Sequence, residues 1–254
     1  MQLFDRQARG ISLSTQGEAW LPHVQVALSQ LTQSTADLFE APRRKITIAA
    51  SASVIELWIV PRLAEIARRL PHLQLAFETI QRLPDYSRYE ADFEIRFGDG
   101  HWPGREARRL FAEELTPMAA PALAAAGGLH SLPRIATSGP RASWRDWSAM
   151  TGEPPSPLPL LRFDTFVQAL RAAEEGAGAL LGSLALCRAS LDSGRLLRLT
   201  DGSLRMETGY WITWPQGRSG FAERNALLCC LTDPGASRDA FGETKSEAKA
   251  GRTT

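Results

Sequence analysis

The stretch Lys45-Ile46-Thr47-Ile48-Ala49-Ala50-Ser51-Ala52-Ser53 decides the reading of this chain. Ile46, Thr47 and Ile48 are β-branched and favour a strand. Ser51-Ala52-Ser53 then makes a polar turn, and Val54 to Leu70 continues with helical spacing. A strand that ends in a polar turn and feeds a helix is the opening unit of an α/β sheet, where ligands settle beyond the carboxyl ends of the strands. Hydroxyls and free N–H groups at a helix start suit an anion or a carboxylate. The plainer role for Ser51 or Ser53 is to cap the helix.

Working outward toward the C-terminus, Pro71-His72 stops that helix and Leu73, Leu75 and Phe77 alternate with polar neighbours as a second strand. A third strand is expected over Phe93–Phe97, closed by Gly98-Asp99-Gly100. Strands alternating with helices imply a parallel sheet with right-handed crossovers. A second set of elements starts at the apolar passage from Leu115 to Pro121 and includes the Trp144-Arg145-Asp146-Trp147 cluster. The proline run from Glu153 to Pro159 reads as a stiff connector. Leu160 to Phe163 is then a strand, and Asp164-Thr165-Phe166-Val167-Gln168 a helix start whose Thr-x-x-Gln spacing fits a capping box. This turn repeats the logic of the first, and two such turns facing each other make a two-lobed cleft. Further strands are expected at Gly178–Gly182, Leu196–Leu199 and Tyr210–Trp214, and a closing helix from about Ser219 to Leu231.

Toward the N-terminus, Leu3 to Gly17 is polar and glycine-punctuated and reads as a tight two-stranded ribbon, with Arg6 and Arg9 flanking the turn at Gly10. Arginines so placed hold a phosphate backbone without reading bases; two solvated arginines in a frayed terminus are the plainer account. From about Glu18 to Phe39, Leu21, Val24, Leu28, Leu31, Thr35 and Leu38 recur at alternating spacings of three and four, which is a heptad seam for pairing with a second helix, most simply a symmetry mate. Glu40 to Arg44 breaks this helix as a hinge.

The formal net charge of +1 over 254 residues excludes any argument from global basicity, so a DNA contact has to be local. No apolar run is long enough to span a membrane and the N-terminus lacks a signal-peptide pattern, so a cytoplasmic protein with no membrane partner is expected. Cys229 and Cys230 sit in an apolar run, where buried free thiols are expected rather than a disulfide or a metal site, and His23, His72, His101 and His130 are scattered. No metal, cofactor or catalytic residue is expected, and nothing resembles a nucleophile elbow or a phosphate-cradling loop.

Together these residues resemble the LysR-type transcriptional regulators, in particular the group of the glycine-cleavage activator and the β-lactamase regulator. The motifs that carry the resemblance are Leu3-Phe4-x-Arg6-x-x-x-Gly10-x-x-Leu13-Ser14-x-x-Gly17, Val60-Pro61-Arg62-Leu63, Asp92-x-x-Ile95-Arg96-Phe97-Gly98-Asp99-Gly100-x-Trp102-Pro103-Gly104, and Phe163-Asp164 with Glu175-Gly176-x-Gly178. The resemblance implies a wing remnant over residues 1–17, a dimerisation helix over 18–40 and an α/β effector-binding domain over 44–231 with the two-lobed fold of periplasmic binding proteins. Lobe 1 would take residues 44–115 and 210–231 and lobe 2 residues 116–209, followed by a disordered tail over 233–254.

By matching position, the resemblance implies a small-molecule effector, zwitterionic or carboxylate, contacted by Ser51 and Ser53 from one lobe, by Asp164, Thr165 and Phe166 from the other, and by Phe97 and Gly98 near the crossover. The carboxylate would face the serines and the amine Asp164, and residues before Trp144 would add a wall. A homodimer or homotetramer is implied, with DNA as partner of the full-length form. The family's Leu-Phe-x-Arg motif follows a helix-turn-helix, so a chain starting at the wing is expected to have lost specific operator binding. The alternatives are a dominant-negative partner of a full-length regulator and a cytoplasmic solute-binding protein. Glu94 departs from the family pattern; an ion pair with Arg96 is the plain reading and a contact to a ligand amine the sharper one.

Overall fold

A computed structural model describes residues 3–7, 10–39, 44–80, 91–152, 158–217 and 223–232. The chain divides into two units, residues 1–44 and 45–254.

In the first unit, β1 (Phe4–Gln7) and β2 (Gly10–Leu13) form the expected antiparallel ribbon, with Gln7 opposite Gly10. Arg9 and the side chain of Arg6, expected to flank the turn, lie outside the described residues. Helix α1 (Thr15–Phe39) follows, its Gly17 N–H donating to the Ser14 Oγ. Its Leu21, Leu28 and Leu31 are exposed, as are Trp20 and Val26; the side chains of residues 32–39, Leu38 among them, lie outside the description.

The second unit is built on a nine-stranded sheet. Its strands are β3 (Arg44–Ala50), β4 (Leu73–Thr79), β5 (Phe93–Gly98), β6 (Arg105–Ala119), β7 (Arg134–Thr137), β8 (Leu161–Phe163), β9 (Ala179–Ser183), β10 (Leu197–Arg198) and β11 (Leu204–Pro215). The order is β4-β3-β5-β11-β6-β9-β7-β8, with β10 on β6. The pairs β3/β5, β7/β8 and β7/β9 are parallel, as the alternation of strands and helices implies. The sheet as a whole is mixed, because β11 runs antiparallel to both β5 and β6, and β6 antiparallel to β9. The correction comes mainly from β6, whose Arg-Glu-Ala-Arg-Arg start has none of the apolar alternation that announces a strand; its apolar half begins only at Leu110.

Helical residues 52–69 are continuous but irregular: α2 (Ala52–Val54), a π turn at Ile55–Ile59, a 3₁₀ turn at Val60–Arg62 and α3 (Leu63–Arg69). Pro61 has no N–H to donate to residue 57, so the regular ladder cannot run through it. The Arg62 Nη1 donates to the Trp58 carbonyl at 2.7 Å and its guanidinium lies 3.5 Å from the Trp58 ring centroid. The Trp58 Nε1 reaches the Leu231 carbonyl at 2.8 Å, fixing this segment on the closing helix, whose described part is Arg224–Leu231.

The main core runs from Ile46, Ile48 and Trp58 through Phe93 and Phe111 to Phe166 and Leu170. A smaller cluster gathers Leu115, Leu132, Trp144, Trp147 and Leu181. The proline run over 153–157 and the tail over 233–254 lie outside the described residues. No described helix is long and apolar enough to cross a membrane.

Candidate functional site

The two strand-to-helix turns meet directly. Ser53 is buried, and its Oγ accepts the Val167 N–H at 3.1 Å, at the first turn of the helix that starts with Phe166. Ser53 therefore satisfies a donor of the other jaw's helix (α6, Phe166–Glu174) rather than of its own. Ser51 stands at the start of α2 without a side-chain cap bond and is partly exposed.

The expected capping box at Thr165 does not form. Thr165 occupies the cap position, yet its Oγ1 is buried and has no hydrogen-bond partner among the described residues. Ser53 supplies the acceptor instead, which leaves the threonine hydroxyl uncommitted. Asp164 is exposed. Phe166 is buried, and the Arg141 guanidinium lies over its ring at 3.9 Å from the centroid.

From the sheet side, Phe97 packs edge-on against Tyr210 at 5.0 Å, and Tyr210 stacks on Phe111, which in turn meets Trp58 at 4.2 Å. Gly98 lies under Trp102, where a Cβ would come within 2.9 Å of the ring, and its carbonyl accepts the Trp211 Nε1 at 3.1 Å. The Gly-Asp-Gly-x-Trp-Pro-Gly motif is therefore a turn clamped by two tryptophans. Gly178 has a similar origin, since a Cβ there would meet the Pro133 carbonyl oxygen at 2.8 Å.

Glu94 is buried and pairs with Arg96 at 2.6 Å, as expected, and also with Arg105 at 3.2 Å. This carboxylate is fully engaged by protein.

Sequence reasoning missed the group with the most unusual surroundings. Glu113, on β6, is fully buried and neither carboxylate oxygen makes a hydrogen bond of ordinary geometry among the described residues. Burial pushes its pKa up, while the Arg141 charge, the Ser183 hydroxyl and the Glu114 N–H act the other way. The same Arg141 and Glu113 charges act on Tyr210 and Cys187, both raised mainly by burial. The signal in the sequence is the spacing Phe111-x-Glu113-x-Leu115, which places a carboxylate on the apolar face of a strand.

Ser53, the first turn of α6 and Arg141 thus lie together, and the Arg141 charge is felt by Glu113 and Tyr210 on the sheet. Elsewhere, a cavity of about 550 Å³ is lined by Ile135, Thr137, Trp144, Ser148, Leu180 and Leu181 among others, and by none of the expected effector residues. Among the described residues no His, Cys, Asp and Glu cluster could hold a metal.

This fold has clear counterparts. Residues 39–233 match the LysR substrate binding domain. The chain is 32% identical to the HTH-type transcriptional activator AmpR of Pseudomonas aeruginosa, over 89% of this chain and 77% of that protein. It is 26% identical to the glycine cleavage system transcriptional activator of Escherichia coli, over 78% and 67%. Among solved structures, the effector domain of P. aeruginosa AmpR superposes with a TM-score of 0.64 at 28% identity, covering 80% of this chain and all of that one. These relatives are regulators of transcription, not enzymes, and the chain belongs to the LysR family of transcriptional regulators, with the family's effector-binding fold.

Proposed function

We propose that this chain senses a small-molecule effector for transcription regulation, with the ligand held between the turns at Ser51–Ser53 and Thr165–Phe166. The observation that carries this reading is the Ser53–Val167 hydrogen bond, which joins the two turns beside the uncommitted Thr165 hydroxyl. A ligand entering there would exchange contacts with both turns, and a ligand with different affinity for the open and closed arrangements shifts their populations. Phe97 and Gly98 line the sheet side, and Asp164 stands at the rim.

In this reading α1 pairs two copies through the seam from Leu21 to Leu38, giving a homodimer or a homotetramer in the cytoplasm. The ribbon arginines Arg6 and Arg9 rest on the phosphate backbone. A ribbon of this kind positions a protein on DNA, whereas base readout needs an element in the major groove. Residues 1–17 would therefore contribute register rather than base readout.

A thermal-shift screen of charged and zwitterionic metabolites tests the reading. At least one compound should stabilise the protein, and Ser51→Ala with Thr165→Val should abolish that stabilisation while leaving the unliganded melting temperature within a few degrees. A screen without a hit, or a hit indifferent to both substitutions, overturns it.

A further inference from the structure

We propose that Glu113 and Arg141 read the two ends of a zwitterionic α-amino compound, the ammonium on Glu113 and the carboxylate on Arg141. This inference rests on the effector cleft described above and names the chemical class that the cleft accepts.

A buried carboxylate is normally paired or hydrogen-bonded on both oxygens, because leaving it bare forfeits its hydration without replacement. Among the described residues neither Glu113 oxygen makes a hydrogen bond of ordinary geometry, the Ser183 hydroxyl and Glu114 N–H acting on it only weakly, and the Arg141 Nη1 makes none either. The contrast with Glu94, engaged by two arginines in the same sheet, shows that the fold is able to satisfy such a group. Glu113 feels the Arg141 charge, yet among the described residues the two form no ion pair. Opposite charges that are close yet not in contact fit a ligand whose own charges are a few bonds apart, as in an α-amino acid.

The immediate surroundings agree. The Arg141 guanidinium lies over the Phe166 ring, 3.9 Å from its centroid, and its Nη1 is uncommitted among the described residues. The Thr165 hydroxyl, one residue away, adds a neutral hydrogen-bonding group. Tyr210 and Phe97 offer apolar faces to the rest of the molecule. The anion thus meets a guanidinium and the cation meets Glu113, whereas Asp164 lies exposed at the rim.

The test uses the whole chain and the proteinogenic L-amino acids, screened by thermal shift and followed by calorimetry. At least one amino acid should bind, and its N-acetyl and carboxamide derivatives should each bind at least tenfold more weakly. Glu113→Gln should erase the discrimination against N-acetylation and keep that against amidation; Arg141→Gln should do the reverse. The derivatives on the unmodified protein decide the matter even where a variant fails to fold. If no amino acid binds, or the derivatives bind as well as the free compound, the assignment is overturned. A metabolite outside this class that stabilises through Ser51 and Thr165 would refute this inference while leaving the effector cleft standing; the absence of any charged metabolite hit would refute the cleft itself.

Discussion

Single residues carry most of the chemistry, and Glu113 illustrates how. Burial raises its pKa in the folded protein above the ordinary carboxylate value, so the folded state binds a proton more tightly than the unfolded state. Stability from this group is fully present below the unfolded pKa and is lost as pH rises through the folded one. The unliganded protein should therefore lose stability as pH rises through and beyond the ordinary carboxylate range, and Glu113→Gln should remove that slope; identical pH profiles for the two proteins in denaturant titrations would contradict it. Glu94, in contrast to Glu113, is engaged directly by two arginines. Glu94→Ala leaves two partly buried guanidiniums without their carboxylate and should cost about 3 kcal/mol, whereas replacing Glu94 and Arg96 together with methionine should cost clearly less. The Glu94–Arg96 pair was legible because both residues lie on one face of an evident strand. Glu113 was not, because its strand opens with five charged or small residues and no periodicity marks its start.

At the level of elements, the sequence speaks clearly wherever local and tertiary demands agree. Strands β3 and β5 and helix α6 follow from β-branched runs, alternation and helical spacing, and their bounds lie within a few residues of the expectation. The helix over residues 52–69 was legible as a helix but not as a π turn running into a 3₁₀ turn, because that irregularity reflects where Trp58 has to sit. The Trp58 indole N–H donates to the Leu231 carbonyl in the buried core, a partner 173 residues away. Trp58→Phe keeps an aromatic ring but strands that carbonyl, and it should lower stability by about 1–3 kcal/mol in urea unfolding. Helix α1 has the reverse character: its seam is plain in the sequence and its Leu21, Leu28 and Leu31 are exposed. Leu21→Glu with Leu28→Glu should shift sedimentation toward the monomer while leaving the effector-dependent melting shift intact, since α1 and the cleft belong to different units.

For the whole molecule, the question is what couples the two turns, and the structure offers a single-atom answer. Neither turn caps itself: Ser51 makes no cap bond, Thr165 leaves its hydroxyl uncommitted, and the Val167 N–H is satisfied by Ser53 from 114 residues away. Sequence alone showed two polar turns that could face one cleft; it could not show the exchange of caps, because a capping box at Thr165 satisfies the same local rules. An amide whose protection depends on a distant hydroxyl reports whether the turns are together. In Ser53→Ala, the Val167 amide should exchange faster by about fivefold to tenfold, the factor expected for loss of one hydrogen bond of about 1 kcal/mol. Amides of β9, which have strand partners of their own, should be unaffected. An effector that bridges the turns should restore protection at Val167 in the variant, because the ligand then supplies the link that the serine no longer does. Unchanged exchange at Val167 would mean that the Ser53 bond does not hold the turns together, and an effector that stabilises the protein without restoring protection would place its binding outside the region where they meet.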